Sequence, residues 1–213
     1  MLNLSHLTSY LTCPRLSYYR IRNKEESFTE LQAVREVYIS FRRGFDLNWA
    51  EKRIEILHNF DAEVFKKAVD KMIFNRKALD DLRSIDWDVP VRSEKFGISF
   101  TIDELVEKDG VAPLYVALKA PEKDVWFKDA IKIAAACICC NYSFGFVYYA
   151  YSGELRICKL NFGLKRSFLK LLERVKMLEN GFLPEKKEGE YCKICKYKEI
   201  CSSQPETFAS KFL

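Results

Sequence analysis

Three cysteines near the end of the chain have the spacing of metal ligands. Cys192, Cys195 and Cys201 lie in a polar, charged segment that offers little apolar packing for a thiol. A C-x2-C turn lets two thiolates face one ion or cluster, and the third cysteine follows shortly after. A closed zinc site or an iron–sulfur cluster takes four ligands. The sequence therefore predicts a metal centre whose fourth ligand comes from elsewhere in the chain.

The chain holds eight cysteines in all, and the fourth ligand has to be sought among those not yet named. Cys13 is the best candidate, because it opens a Cys-Pro-Arg step at the expected end of a helix. The spacing leaves both zinc and an iron–sulfur cluster open, and His6 is an alternative zinc ligand. The remaining cysteines lie in apolar helix or alternating strand sequence, where cysteine usually packs as a small hydrophobe: Cys137, Cys139, Cys140 and Cys158.

The elements that position these residues begin with a helical region over residues 1–85. Ser5 is the expected N-cap of a first helix that ends at the Cys13-Pro14 step. A second helical stretch is expected from Thr29 into the 50s, and a third from Asp61.

From about residue 90 the apolar period changes to that of strands. Residues 98–103 alternate between apolar and polar, Asp109-Gly110 is a hairpin signal, and residues 114–118 form the returning strand. A buried helix over 124–140, strands over 144–151 and 154–162, and a helix over 164–178 follow. This order predicts a mixed α/β protein with a central mixed sheet flanked by helices. It is read as one domain over 1–213, with a core at 90–180 and a cysteine-bearing end at 184–213.

The composition excludes several classes of protein. The chain has 213 residues, of which 48% are hydrophobic, and this content excludes intrinsic disorder. A net charge of +5 permits a polyanionic partner without requiring one. We expect no membrane span, since no stretch of about 18 apolar residues occurs, and no signal peptide. The expectation is a cytoplasmic protein without a membrane partner, in which eight cysteines are not explained by disulfides.

Both ends of the chain carry motifs of a known family. Residues 9–15, SYLTCPR, resemble the opening of the CRISPR-associated RecB-like iron–sulfur exonucleases of the PD-(D/E)XK superfamily, and the C-x2-C-x5-C motif that follows Pro184 is similar to their end. The resemblance implies a restriction-endonuclease-like core and a [4Fe–4S] cluster that joins the N- and C-terminal segments. By that resemblance the cluster ligands are Cys13, Cys192, Cys195 and Cys201, with zinc as the alternative.

The family's catalytic motif is degenerate in this chain. The resemblance assigns Asp103 to the first strand of the nuclease hairpin and Lys119 to the end of the second. Ala117 stands where the second metal-binding carboxylate belongs, and a methyl group cannot bind Mg²⁺ or Mn²⁺. Asp129 is a candidate displaced carboxylate, because it lies one helical turn before Lys132. If the protein cleaves DNA, Asp103 and Asp129 hold the metal, and Lys119 stabilises the developing charge.

The expected function combines these features. We predict an exonuclease-like, iron–sulfur protein that processes DNA ends during spacer acquisition or repair, with an impaired active site. The alternative is an inactive adaptor that binds DNA, or docks onto a CRISPR integrase or an active nuclease. A zinc-clamped binding module is a third possibility. Single-stranded DNA or duplex ends are the expected partners, because basic residues interleave with tyrosines near both sets of cysteines: Arg15, Arg20, Arg22, Lys24, Lys193, Lys196 and Lys198.

Overall fold

The computed structural model describes residues 1–23 and 28–203. Contacts divide these residues into two compact units. The terminal unit comprises residues 1–23, 92–100 and 165–203, and the central unit comprises residues 28–91 and 101–164. The single domain over 1–213 stays a prediction.

The first part of the chain is helical, as expected. Asn3 is the N-cap of the first helix and forms a capping box with His6. The expectation that Ser5 is the cap is therefore wrong, because the helix begins one residue before it. The elements are β1 (Leu2–Asn3), α1 (Leu4–Thr12), α2 (Pro14–Arg22), α3 (Glu30–Arg42), α4 (Leu47–Leu57), α5 (Ala62–Lys71) and α6 (Arg76–Leu79).

Two further helix starts agree with the sequence, but one predicted helix is broken. Thr29 caps α3 and Asp61 caps α5, each by accepting backbone N–H groups of the first turn. The stretch from Thr29 into the 50s is two helices, because Gly44 lies in the left-handed region with φ at +81°. Such a residue ends a helix without the steric cost that a side chain would add.

The strands follow, and the expected hairpin is present. Asp109 and Gly110 both have positive φ values, 55° and 123°, and join two antiparallel strands. The first long strand begins at Arg83, earlier than the predicted change near residue 90. The elements are β2 (Arg83–Ser93), β3 (Ile98–Glu107), β4 (Val111–Ala117), α7 (Phe127–Cys140), β5 (Phe144–Tyr149), β6 (Glu154–Lys159), α8 (Phe162–Glu179), a 3-10 turn (Glu190–Lys193) and α9 (Lys198–Ser203).

The sheet is mixed, which confirms the predicted fold class. In the central unit β4 pairs antiparallel with β3 and parallel with β5, while β6 is antiparallel to β5. In the terminal unit β1 is parallel to the start of β3, where Leu2 faces Ile98. The strand β2 also pairs with β3. A parallel pair needs a crossover, and α7 supplies it between β4 and β5.

The core of the central unit lies between the sheet and its helices. Both α3 and α7 contact β4, so residues of this strand are buried on both faces. Charged side chains are buried with the apolar ones, and Glu36 of α3 and Glu104 of β3 are fully buried. Buried charges need partners. Glu104 pairs with Arg42, and the partners of Glu36 belong to the site described below. Across the described ranges, every helix is too short or too polar to cross a membrane.

Candidate functional site

Asp103, the acid of the predicted nuclease strand, has a partner on each carboxylate oxygen. Its Oδ1 accepts a hydrogen bond from Nε of Arg35, and its Oδ2 accepts one from the backbone N–H of Val116 at 2.8 Å. The residue is only 7% exposed. A carboxylate held in this way is an ion-pair partner, and its oxygens are already engaged.

Arg35 is the centre of this arrangement. Its Nη1 donates to Glu36 at 2.8 Å and its Nη2 donates to Asp88, so each guanidinium nitrogen contacts a different carboxylate. Burial works against the charge, but Asp103, Asp88 and Glu36 raise the pKa of Arg35 above its usual value. The guanidinium therefore stays positively charged throughout the pH range in which the protein is folded.

A second arginine completes the group. Nε of Arg53 donates to Glu36 at 2.5 Å, and its Nη2 donates to Asp88. Nε2 of His58 lies 3.8 Å from Glu36. We call Arg35, Glu36, Arg53, Asp88 and Asp103 the arginine-bound acidic centre.

Like a metal site, this centre groups several carboxylates. Their positive counter-charge, however, comes from arginine side chains. Divalent cations such as Mg²⁺ and Mn²⁺ are held by carboxylate oxygens, and here arginine nitrogens occupy those oxygens. Within residues 1–23 and 28–203, no three His, Cys, Asp or Glu side chains are arranged to hold a metal ion. The positive charge beside these carboxylates comes from Arg35 and Arg53.

The other predicted catalytic positions lie on and beyond β4. Ala117 ends β4 and is 5% exposed, so the position of the second carboxylate holds a buried methyl group. Lys119 is exposed, and its backbone carbonyl accepts a hydrogen bond from Trp126 Nε1 at 2.9 Å. Its ammonium group makes no ion pair within the described part of the chain. The catalytic role of Lys119 stays a prediction.

Asp129 has partners of its own on α7 and β5. Nζ of Lys132 lies 3.1 Å from its Oδ1, and the hydroxyl of Tyr149 donates to its Oδ2 at 3.3 Å. Burial raises the pKa of Tyr149, the backbone N–H of Trp126 lowers it, and Asp129 raises it further. The phenol therefore remains a donor. Each of the two acids predicted to share a metal thus has a cation of its own, and their role as metal ligands stays a prediction.

Sequence reasoning missed most of the arginine-bound acidic centre. The family motif pointed to Asp103 alone, while Arg35, Arg53 and Asp88 match no part of it. One signal was available for Glu36, which lies among Ala33, Val34 and Val37 on the buried side of α3. A charged residue within an apolar helix face indicates a buried partner of opposite charge.

Three of the four predicted cluster cysteines lie around one small apolar cluster in the terminal unit. Cys13, Cys195 and Cys201 pack against Leu16, Tyr19 and Tyr197. The fourth, Cys192, lies in the 3-10 turn, and its thiol is 3.9 Å from the carbonyl of Lys187. All four are free thiols. The topology brings cysteines from both chain ends into one region, although they do not form an assembled metal-binding group.

The surroundings of Arg15 favour negative charge beside these thiols. It is 1% exposed, and its Nη1 lies 3.1 Å from the carbonyl and 3.6 Å from the sulfur of Cys201. Its Nε donates to the Pro184 carbonyl at 2.9 Å, while Nη2 is buried with no hydrogen-bond partner. Among the described side chains no carboxylate pairs with it. A buried cation of this kind fits a neighbouring thiolate or a thiolate-bound cluster.

Two of the four cysteines expected to serve only for packing are buried, while Cys139 and Cys140 are half-buried. Cys137 and Cys158 are buried, and burial together with the nearby Cys158 and Cys140 raises the pKa of Cys137 to about 12. Neutral thiols in such a setting are poor nucleophiles and poor metal ligands.

The predicted basic patch is only partly available to DNA. Arg15 is buried, so the expectation that it contacts phosphate is wrong. Arg20 donates to the Ser9 hydroxyl at 2.7 Å, and Arg22 lies over the Tyr18 ring at 3.7 Å while donating to the Leu178 carbonyl. Lys24 lies outside the described residues.

The fold is that of a mixed α/β protein, and it resembles an exonuclease fold. The fold is similar to that of a Eubacterium rectale protein described as a putative exonuclease, with a TM-score of 0.59, 14% identity, and coverage of 97% of this chain and 89% of that one. No family model matches the sequence. An uncharacterized protein of Archaeoglobus fulgidus is 49% identical over 215 residues, covering 100% of both chains. The chain belongs to the same family as that archaeal protein.

Proposed function

We propose that this protein binds DNA ends through a RecB-like nuclease fold and does not cleave them by metal-dependent hydrolysis at Asp103. The observation that carries the proposal is the contact between Arg35 and Asp103. The retained acid of the nuclease motif accepts a hydrogen bond from Arg35, and Ala117 replaces its usual partner acid. Of the two functions that the sequence left open, this geometry favours the inactive adaptor.

The chemistry of phosphodiester hydrolysis explains why the contact matters. A divalent cation polarises the phosphate and lowers the pKa of the attacking water. An arginine neutralises charge but cannot generate a hydroxide nucleophile in this way. With Arg35 on Oδ1 of Asp103 and the N–H of Val116 on Oδ2, both oxygens of this acid already have partners in place of a divalent cation.

An iron–sulfur cluster is part of the proposal. Cys13, Cys192, Cys195 and Cys201 would hold it, and it would supply a covalent link between the chain ends. The motif resemblance supports this assignment, and so does the buried guanidinium of Arg15 beside Cys201. Zinc in the same thiol set remains the alternative metal.

The biological setting we propose is CRISPR spacer acquisition or DNA repair. The motifs at both chain ends support it, and the exonuclease-like fold is compatible with DNA as the partner. In this role the protein would hold an end for a CRISPR integrase or an active nuclease.

A second candidate, a metal-dependent exonuclease, is favoured by one observation. Lys119 lies two residues after the end of β4, is exposed and has no ion-pair partner in the described residues. In that case Asp103 and Asp129 would hold Mg²⁺ or Mn²⁺ after Arg35 moves away.

A binding experiment tests the proposed role. Linear duplexes with a single-stranded overhang are compared with closed circular DNA of the same sequence, by anisotropy or gel shift. We expect the linear form to bind at least tenfold more tightly, and the Asp103→Asn variant to bind as the wild type does. Equal affinity for the closed circle would contradict a preference for ends, and absence of binding to either DNA would overturn the proposed function.

A further inference from the structure

Three aromatic rings, of which Phe45 is exposed and Trp49 and Trp87 are half-buried, surround Arg43 where α3 turns into α4. The guanidinium carbon of Arg43 lies 5.4 Å from the ring centre of Phe45, 5.3 Å from that of Trp49 and 5.2 Å from that of Trp87. Phe45 and Trp49 are stacked on each other, with centres 4.6 Å apart and planes inclined by 18°. We call these four residues the aromatic platform.

The backbone fixes the stack in place. The N–H of Gly44 donates to Phe41 and the N–H of Phe45 donates to Ser40, which is the hydrogen-bond pattern of a Schellman motif. Asp46 then caps α4 by accepting the N–H of Trp49 at 2.9 Å. Both rings are therefore held by helix ends, so little ordering is needed when a ligand stacks on them.

The Phe45 side of the platform faces solvent beside unpaired positive charge. Phe45 is 41% exposed, so one edge of the stack is accessible to a ligand. Arg43 is exposed and, within the described residues, has no carboxylate partner. Lys52 lies one helical turn after Trp49 and is also without an ion pair there. Aromatic faces beside one or two free cations are the chemistry that recognises unpaired nucleobases.

We propose that the aromatic platform binds the unpaired bases of a single-stranded DNA segment, with Phe45 as the stacking surface and Arg43 and Lys52 near the phosphates. This inference rests on the proposed binding of DNA ends and adds which part of the substrate is recognised. Arg43 and Lys52 would neutralise two phosphates, which is a weak electrostatic contribution. The platform's share of the slope of log affinity against log salt concentration is therefore about −1.4. Stacking supplies the rest of the affinity.

Anisotropy with three labelled oligonucleotides of equal length tests the inference: an oligothymidine, an abasic strand and a blunt duplex. Phe45→Ala should weaken binding of the oligothymidine about tenfold and leave the abasic strand and the duplex within twofold. The matched control is Phe162→Ala, which removes a ring that is 81% exposed on α8, and it should leave all three affinities within twofold.

The outcomes separate this inference from the proposed function. If Phe45→Ala binds oligothymidine as the wild type does while the duplex also binds, the platform is not the site and DNA binding stands. If the wild type binds none of the three, both are overturned. Phe45→Trp keeps a stacking face and should bind oligothymidine at least as tightly as the wild type. An equal loss in Phe45→Trp and Phe45→Ala would contradict a stacking role even if the alanine variant is unstable.

Discussion

The guanidinium of Arg35 donates from Nε to Oδ1 of Asp103, while its other nitrogens contact Glu36 and Asp88. One cation on α3 thus joins an acid of β3 to an acid of β2 and to one of its own helix. Without the Arg35 guanidinium, the three carboxylates that it contacts would repel one another. The contact therefore serves both to stabilise the fold and to keep Asp103 from acting as a free ligand.

Removal of the Arg35 charge should destabilise the protein strongly. Arg35→Met keeps the length of the side chain but leaves buried carboxylates with only Arg53 to neutralise them, and breaking a buried ion pair costs about 3–5 kcal/mol. Urea denaturation measures the loss. The control is Arg83→Met, which breaks an exposed pair with Glu107 and should cost less than about 1 kcal/mol. Equal losses in the two variants would show that Arg35 is not the centre of this network.

The cysteine assignment predicts a coloured protein. Anaerobically purified protein should absorb broadly near ~400 nm and contain iron, and Cys201→Ser should lose most of both. Cys158→Ser is the control, since that thiol is buried in β6 and lies outside the predicted ligand set. A colourless protein with one zinc per chain would replace the cluster by the zinc alternative. Metal retained fully in Cys201→Ser would contradict both assignments.

The raised pKa of Cys137 predicts a loss of stability in alkaline solution. The thiol titrates at about 12 in the folded state and near 9 when unfolded, so above pH 9 the unfolded chain binds fewer protons than the folded one. The free energy of unfolding should fall by about 1.4 kcal/mol per pH unit from this group. Denaturation curves of the wild type and Cys137→Ala between pH 8.5 and 10.5 should therefore differ in slope. Parallel pH profiles would show that the thiol titrates normally.

Lys132 should be essential for the stability of α7. Its ammonium group is the cation nearest to Asp129, which is 1% exposed, so Lys132→Met leaves a buried carboxylate with only the Tyr149 hydroxyl. We expect a loss of about 3 kcal/mol. Lys128→Met, an exposed position on the same helix, should change the stability by less than about 0.5 kcal/mol. If Lys132→Met is as stable as this control, Asp129 has another counter-charge.

Most of the fold could be predicted from the sequence, because the spacing of apolar residues differs between helices and strands. The alternation over residues 98–103 and the Asp109-Gly110 turn correctly indicated the hairpin of β3 and β4. Two errors have local causes. Gly44 divides a continuous helical pattern because its conformation, not its hydropathy, ends α3. The strand β1 has two residues, which is too short for any alternation to be detected.

The candidate site was less predictable, because its partners are distant in the chain. Asp103 followed from a strand motif, but Arg35 lies on a helix, and Asp88 lies on β2, a strand that the hydropathy pattern did not predict. Only tertiary packing brings these side chains together. The charged residue Glu36 on a buried helix face was the one local sign that an ion pair had to form there.

The most direct test of the central claim is a cleavage assay on DNA that the protein binds. The wild type and Asp103→Ala are incubated with Mn²⁺ and an end-labelled duplex carrying a single-stranded overhang, at protein concentrations that saturate binding. Because arginines occupy the carboxylates, we predict that the wild type releases no more nucleotide than Asp103→Ala does. Release of nucleotides by the wild type that is lost in Asp103→Ala would show that Asp103 is a working catalytic residue, and would contradict the account.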